Sequence, residues 1–217
     1  MDLYLIPGLG ADRRLFGKLD LGDHTLHFLD WPLMPEGSRL RDFAHTLSKH
    51  VDATRPHTLI GVSMGGMVAQ ELAALTGPKR VIIISSWKGP QEMPMPIRIL
   101  RGTHPERMLT PALVKHTLPL VRWQMGVTSP EDVTLFDALV RAHPLEQLKV
   151  QINACLGWEG PAVPVEGLVH IHGDQDRLMP IAHIADPVVI SGGTHFMVFS
   201  QAADVGAAVR RALQAVE

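Results

Sequence analysis

A serine set among glycines most strongly constrains what this chain can fold into. Residues 61–66 read G-V-S-M-G-G. An apolar run typical of a strand (57–62) leads into them, and a run typical of a helix (64–75) leads out. The pattern G-x-S-x-G between a strand and a helix predicts a sharp turn with Ser63 at its apex.

The glycines of this turn have a steric reason. A serine at such an apex crowds the residues two before and two after it, and Gly61 and Gly65 lack the side chains that would clash there. Gly66 lets the helix lie close to the sheet. The hydroxyl of Ser63 is then held clear of the sheet edge, beside a helix N-terminus that favours developing negative charge. The alternative is that Ser63 is only the N-cap of the helix.

Composition limits the classes of protein to which the chain can belong. Its 217 residues, 46% of them hydrophobic, suffice for one sizeable core. The net charge of −2 argues against a general attraction to nucleic acid or to an anionic membrane. Cys155 is the only cysteine, so no intramolecular disulfide can form, which fits a cytoplasmic protein. The first residues show no signal-peptide pattern, and no apolar run is long enough to span a bilayer.

Strand-type and helix-type patterns alternate along the chain. Six short runs are typical of strands: 3–6, 24–30, 57–62, 80–86, 165–173 and 187–191. Helical patterns lie between several of them. This alternation predicts an α/β fold with a doubly wound, mostly parallel sheet of about six strands.

Helix signals outside the serine turn are also specific. Asp12 is expected to cap a short helix through Phe16, and Ser38 is expected to cap a helix with an apolar face. A closing helix is predicted over 201–216. Its apolar stripe consists of Val205, Val209, Leu213 and Val216.

The alternation of strands and helices breaks after Trp87. Residues 89–96 contain three prolines and cannot form a regular helix or a central strand. Helix starts follow at Thr110-Pro111, at Ser129-Pro130 and after His143-Pro144. These signals predict a helical cap over residues 90–159, inserted above the strand ends of a core that comprises 1–89 and 160–217.

A serine hydroxyl needs partners before it can act as a nucleophile at neutral pH. It requires a base, and the base requires an acid that fixes its tautomer. Asp176 and His195 both lie in loops after predicted strands, and such loops gather at one edge of a parallel sheet. Asp174 is the competing acid and His183 the competing base. The position of His183 on a predicted helix favours His195.

The loop after the first strand is a candidate oxyanion site. Residues 7–12 read P-G-L-G-A-D, and Gly8 and Gly10 permit a tight turn with backbone N–H groups pointing outward. The Leu9 N–H is the candidate donor. The alternative is an ordinary turn between a strand and a helix.

Four motifs together resemble the α/β-hydrolase superfamily. They are P-G-L-G at 7–10, G-V-S-M-G-G at 61–66, H-G-D-Q-D-R-L-M-P at 172–180 and G-G-T-H-F at 192–196. The resemblance implies that Ser63 attacks a carbonyl, that His195 is the general base and then the general acid, and that Asp176 orients it. It also implies that the N–H groups of Leu9 and Met64 hold the oxyanion. One departure is Pro7-Gly8, where the family usually has His-Gly.

Large apolar residues in the loops and the cap favour an apolar acyl pocket. The candidates for substrate contact are Trp31, Trp87, Trp123 and Phe196. Packing of the cap against the core is the alternative role for each of them. The segment 97–122 carries five basic residues against one acidic residue, so an acidic carrier protein is a possible partner, although a solvated helix face also explains these charges.

No cofactor or metal is expected. His170 and His172 could face the same side of a strand, but no carboxylate of metal-binding spacing accompanies them, which favours structural histidines. Cys155 is expected to be an inert, buried thiol.

The leading hypothesis is a carboxylic ester hydrolase that cleaves small or medium acyl esters through an acyl-enzyme. The alternatives on the same fold are a C–C bond hydrolase, an amidase or aminopeptidase, a lyase, and a thioester hydrolase that docks an acyl carrier through the basic cap. A non-catalytic binding protein is the alternative outside these enzyme classes. Haloalkane and epoxide chemistry is disfavoured, because those relatives use an aspartate where this chain has Ser63.

Overall fold

A parallel sheet forms the centre of the computed structural model, which describes residues 1–214. Its strands are β1 (Asp2–Ile6), β2 (Thr25–Phe28), β3 (His57–Val62), β4 (Arg80–Ile84), β5 (Val169–Gly173) and β6 (Val188–Ile190). All five neighbouring pairs are parallel, in the order β2-β1-β3-β4-β5-β6. The expected sheet of about six strands is confirmed.

The strand order creates a switch point. The chain steps from β1 outward to β2 and then returns to β3 on the other side of β1. In open α/β sheets, ligands bind beyond the carboxyl ends of the strands at such a reversal. The loops after β1 and β3, which carry Leu9 and Ser63, meet there.

Helices cover both faces of the sheet and extend beyond its carboxyl edge. They are α1 (Leu40–Ser48), α2 (Met64–Thr76), α3 (Met95–Ile99), α4 (Pro111–Met125), α5 (Pro130–Ala142), α6 (Leu145–Leu156), α7 (Met197–Ser200) and α8 (Ala202–Gln214). Short 3-10 segments lie at 13–16, 90–92, 105–108 and 181–183. Among the helices of residues 1–214, none combines the length and the apolar content that crossing a bilayer requires.

The central strands are apolar because both of their faces are covered. Every residue of β1 and β3 is buried. One core cluster joins these strands to α1 and α2, with Phe43, Met67 and Leu72 among its members. A second cluster on the opposite face joins them to α8 through Val205 and Val209. Burial on both faces accounts for the continuous apolar runs in the sequence.

The four helices between β4 and β5 differ in how deeply they are packed. No residue of α3 or α4 is buried. In contrast, α5 and α6 contribute Phe136, Leu139, Val150 and Ala154 to the two core clusters. The division into a core and a cap at residues 90–159 stays a prediction.

Several helix and strand boundaries differ from expectation. The N-cap of α1 is Arg39 and not Ser38, because the Asp42 carboxylate accepts from the Arg39 N–H while the Ser38 hydroxyl donates to the Pro35 carbonyl. Asp12 does cap its short helix, by accepting from the Arg14 N–H.

The predicted strand at 165–173 and the closing helix also have shorter bounds. β5 begins at Val169 instead of residue 165, after a turn at 166–167. In α8, Val205, Val209 and Leu213 are buried as the stripe predicts, whereas Val216 lies outside the described residues.

Candidate active site

Ser63 occupies a strained turn between β3 and α2. Its backbone has φ 53° and ψ −120°, a combination that residues with a side chain rarely adopt. The Ser63 N–H donates to the Ile84 carbonyl of the neighbouring strand at 2.9 Å. The Ser63 side chain makes no hydrogen bond to the backbone of α2. The alternative interpretation, in which the Ser63 hydroxyl only caps this helix, is therefore not supported.

The glycines around Ser63 are required by close backbone contacts. A Cβ on Gly61 would lie 2.2 Å from the Gly65 carbonyl oxygen, and a Cβ on Gly65 would lie 2.3 Å from the Ile6 carbonyl oxygen. A Cβ on Gly66 would lie 2.5 Å from the Ser86 hydroxyl. The steric reason predicted for all three glycines is confirmed.

Ser63, His195 and Asp176 form one chain of hydrogen bonds. His195 Nδ1 lies 2.7 Å from Asp176 Oδ2, and His195 Nε2 lies 3.1 Å from Ser63 Oγ. Because a carboxylate only accepts, Nδ1 carries the proton, and Nε2 is left to accept from the serine hydroxyl. His195 is 2% exposed and Asp176 is 4% exposed, while Ser63 is half-buried.

The second oxygen of Asp176 is held by the backbone. Its Oδ1 accepts from the N–H groups of Leu178 and Met179 at 2.9 and 2.8 Å. Burial alone would raise the pKa of Asp176, but the charge and hydrogen bond of His195 and the bond from Met179 outweigh it, so the pKa is lowered. Asp176 is therefore an anion that can orient and stabilise a protonated imidazole.

The competing candidates lie elsewhere. Asp174 Oδ1 accepts from the Gly192 N–H at 2.7 Å and so stabilises the loop that precedes His195. His183 is exposed, in the 3-10 segment 181–183. The geometry favours Asp176 and His195.

The loop after β1 lies against the serine. A Cβ on Gly8 would lie 3.5 Å from the Ser63 Cβ. Within residues 1–214 the Leu9 N–H donates to no protein acceptor. Met64 is the first residue of α2, where a backbone N–H has no partner within the helix. Both candidate oxyanion donors thus follow the strands that meet at the switch point.

The four aromatic residues predicted to contact substrate have different surroundings. The Trp31 indole N–H donates to the Gly8 carbonyl at 2.8 Å. Trp87 is buried in the core, and Phe196 is buried with its ring 5.9 Å from that of Phe136. Trp123 is 58% exposed and its ring is covered by the Arg177 guanidinium at 4.7 Å. Contact of these residues with substrate stays a prediction.

Sequence reasoning missed two polar residues next to the site. The Ser86 hydroxyl donates to the Ser63 carbonyl at 2.7 Å, and Gln151 Oε1 accepts from the Gly10 N–H at 2.8 Å. Ser86 follows the apolar strand β4, and Gln151 is a buried polar residue in α6. A polar residue at a buried helical position was the available signal for Gln151.

His170 and His172, the two histidines of β5, contact each other close to Asp176. His172 Nε2 lies 2.7 Å from the Met179 carbonyl, to which it must donate, so its Nδ1 accepts from His170 Nε2 at 3.2 Å. Burial lowers the pKa of His172, and it lowers the pKa of His170 to about 3. Both rings are therefore neutral and structural. The described residues contain no group of three or more histidines, cysteines or carboxylates arranged for a metal.

Cys155 lies away from this network. It is a free thiol in α6, and burial raises its pKa to about 12. A thiol with so high a pKa is protonated at neutral pH and is a poor nucleophile.

Comparison with known proteins identifies the class of protein. A profile of the alpha/beta hydrolase family matches residues 3–208. The chain therefore belongs to the alpha/beta hydrolase family, as its fold and its serine turn indicate. A search of curated protein sequences gave no match.

Solved structures share the fold at low sequence identity. A thermophilic esterase from Thermogutta terrifontis is 17% identical with a TM-score of 0.77, over 100% of this chain and 90% of that one. A lipase-esterase related protein from Clostridium acetobutylicum is 15% identical with a TM-score of 0.73, over 97% and 93%. YbtT, a type II thioesterase from the yersiniabactin NRPS/PKS pathway, is 19% identical with a TM-score of 0.65, over 99% and 93%.

Proposed function

We propose that the protein is a carboxylic ester hydrolase that uses Ser63, His195 and Asp176 as a catalytic triad and acts on small or medium acyl esters. The observation that carries the proposal is the continuous hydrogen-bonded chain from Ser63 Oγ through His195 to the Asp176 carboxylate. A buried serine–histidine–carboxylate chain at a strained turn activates a hydroxyl for attack on a carbonyl.

The reaction follows from the donor and acceptor roles of these atoms. Ser63 Oγ attacks the ester carbonyl carbon while its proton passes to His195 Nε2, and Asp176 stabilises the resulting imidazolium. The N–H groups of Leu9 and Met64 donate to the oxyanion. Collapse of the tetrahedral intermediate expels the alcohol, which takes the proton from Nε2. Water then attacks the acyl-enzyme by the same steps and releases the acid.

Apolar space near the oxyanion loop supports an acyl substrate. A cavity of about 420 Å³ lies between α4, α5 and α6. Its apolar lining includes Val114, Leu118, Val140 and Leu148, and the charged residues Lys115, Asp137 and Arg141 also line it. Leu148 also contacts the oxyanion loop, since a Cβ on Gly10 would lie 2.9 Å from its Cδ2. We expect this cavity to accept the acyl chain of longer substrates.

The experiment is a panel of nitrophenyl esters of graded chain length, run with the wild type and Ser63→Ala. Loss of the nucleophile should lower kcat by about 10⁴-fold or more. A fluorophosphonate should label the wild type and leave Ser63→Ala unlabelled. Full ester hydrolysis by Ser63→Ala contradicts the proposal, and wild-type protein that neither hydrolyses nor labels indicates a binding protein.

A thioester hydrolase that acts on a carrier-bound acyl group is the second candidate. It is favoured by the outer surface of the cap, where Arg98, Arg107 and Lys115 are exposed while Glu106 is buried. Exposed apolar residues lie among these cations: Met95, Ile99, Met108, Leu113 and Leu120. An acidic carrier protein complements such a surface.

Carrier docking predicts a dependence on salt and on the partner. Arg98→Glu combined with Arg107→Glu should raise the KM for an acyl group on an acidic carrier and leave the KM for the matching free thioester unchanged. Moderate salt should weaken only the carrier reaction, because exposed charges are screened. Equal effects on both substrates count against the docking surface.

A further inference from the structure

The loop that carries Leu9 is held by side chains from two distant parts of the chain. Trp31 reaches it from the loop after β2, and Gln151 reaches it from α6. We propose that Trp31 and Gln151 are positioning residues that fix the orientation of the Leu9 N–H. This assignment rests on the proposed function, in which that N–H holds the oxyanion.

Trp31 acts on the peptide group that contains the donor. The Gly8 carbonyl and the Leu9 N–H belong to one planar trans peptide group, so they point in opposite directions. The carbonyl accepts from the Trp31 indole at 2.8 Å and from the Ala11 N–H at 3.1 Å. Fixing the carbonyl in this way directs the Leu9 N–H to the opposite side, where it is free of protein acceptors.

Gln151 acts on the next peptide group. Its Oε1 accepts from the Gly10 N–H, and the side chain is 1% exposed. Its Nε2 has no hydrogen-bond partner among the described residues. A buried amide nitrogen without a partner is unfavourable, and a methionine would fill the space without it. What glutamine offers at this position and methionine does not is therefore a hydrogen-bond acceptor for the Gly10 N–H.

The two contacts hold the peptide groups on either side of Leu9. Trp31 orients the peptide group before its Cα, and Gln151 orients the one after it. The loop itself contains Pro7, which has no N–H, and Gly8 and Gly10, which have no side chains. Pro7 fixes its own φ, and the Ala11 N–H closes the turn on the Gly8 carbonyl. Gly8 and Gly10 still leave the backbone free to adopt other conformations, so Trp31, Gln151 and the packing of Leu148 against Gly10 add to its support.

The first test removes only the indole donor. Trp31→Phe keeps a ring against Phe43, whose ring lies 5.6 Å away in an edge-on arrangement. The matched control is Trp158→Phe, which removes the indole bond to Glu71 Oε1 at 2.7 Å outside this loop. We expect Trp31→Phe to lower kcat about tenfold with little change in KM, which is less than the loss of an oxyanion donor itself. Trp158→Phe should leave kcat within about twofold.

The second test removes only the amide acceptor. Gln151→Met should lower kcat by a similar factor, again with KM nearly unchanged. The matched control is Gln147→Met on the same helix, whose amide binds the N–H and the carbonyl of Met34. Thermal unfolding of all four variants separates lost stability from lost positioning, because Trp158→Phe loses one hydrogen bond and Gln147→Met loses two, all of them outside the loop that carries Leu9.

The outcomes distinguish this inference from the proposed function. Wild-type esterase activity that Ser63→Ala abolishes supports the function whatever the other variants show. Trp31→Phe and Gln151→Met that match their controls in kcat overturn the positioning roles alone. A rise in KM with unchanged kcat also overturns them, because it assigns Trp31 and Gln151 to substrate binding.

Discussion

The sheet edge at Ser63 and the helices α3 and α4 are packed in opposite ways. At the edge, a single added carbon on Gly61 or Gly65 would lie within 2.4 Å of backbone atoms. In contrast, α3 and α4 contain no buried residue, and Leu120 is 62% exposed. The difference indicates that the serine turn has no room for added atoms, whereas substitutions on α3 and α4 should meet little resistance from neighbouring groups.

The four helices between β4 and β5 are not all packed alike. Helix α6 belongs to the tightly packed part, because Gln151 and Leu148 contact the loop after β1. The end of α4 also approaches the site, since the Phe196 N–H donates to the Met125 carbonyl at 3.0 Å. Substitutions should therefore have large effects at the sheet edge and small ones on α3 and the outer face of α4.

After Ser63→Ala, the proposed triad places the next largest expected effect at Asp176. Asp176→Asn should lower kcat on a nitrophenyl ester by about 10³- to 10⁴-fold, because an amide nitrogen facing His195 Nδ1 favours the wrong tautomer. The control Asp174→Asn keeps an oxygen that can accept from Gly192 and should stay within about twofold. The reverse pattern would assign the acid to Asp174.

The largest expected effect on stability is at the serine turn. Gly65→Ala should lower the free energy of unfolding by about 4 kcal/mol or more, because its Cβ would overlap the Ile6 and Pro7 carbonyls. Gly102→Ala, in the loop after α3, is the control: its φ of +75° is strained for alanine, but the space around it is open. It should cost about 1–2 kcal/mol. Urea unfolding compares the two, and equal costs would contradict the contrast in packing.

A smaller effect is expected on the pH dependence of stability, to which His170 and His172 contribute. Burial lowers the pKa of His170 from 6.5 to about 3, so the unfolded chain binds more protons between these values and stability falls as pH falls through this range. His170→Gln should reduce the slope of the free energy of unfolding against pH by up to about 1 kcal/mol per pH unit between pH 6 and 4.5. His172 leaves a residual slope, because burial lowers its pKa as well. Denaturant unfolding at several pH values measures this, and an unchanged slope would contradict the buried, neutral state of His170.

The smallest effect on stability is expected on the exposed face of α4. Leu120→Ala should change the free energy of unfolding by less than about 0.5 kcal/mol. Leu72→Ala, at a fully buried position in α2, should cost about 2–5 kcal/mol. Chemical unfolding of both variants makes the comparison. A cost above 1 kcal/mol at Leu120 would show that α4 is better packed than its exposure indicates.

The sequence predicted the elements whose signals are local. Apolar runs marked the strands, and caps such as Ser129, which forms a capping box with Asp132, marked helix starts. The candidate acid and base were also accessible, because loops after parallel strands must meet at one edge. Ser38 was assigned wrongly as an N-cap, since the helix is capped one residue later, where the Asp42 carboxylate accepts from the Arg39 N–H.

What the sequence by itself determined is the turn at Ser63, the strand pattern and the loops that carry Asp176 and His195. Each of these follows from the chemistry of neighbouring residues or from the parallel topology. Only the tertiary structure decided that Gln151 contacts Gly10 across 141 residues and that Trp31 contacts Gly8 across 23. Contacts between distant segments depend on how helices pack on the sheet, and no local pattern encodes which polar group will meet which backbone atom.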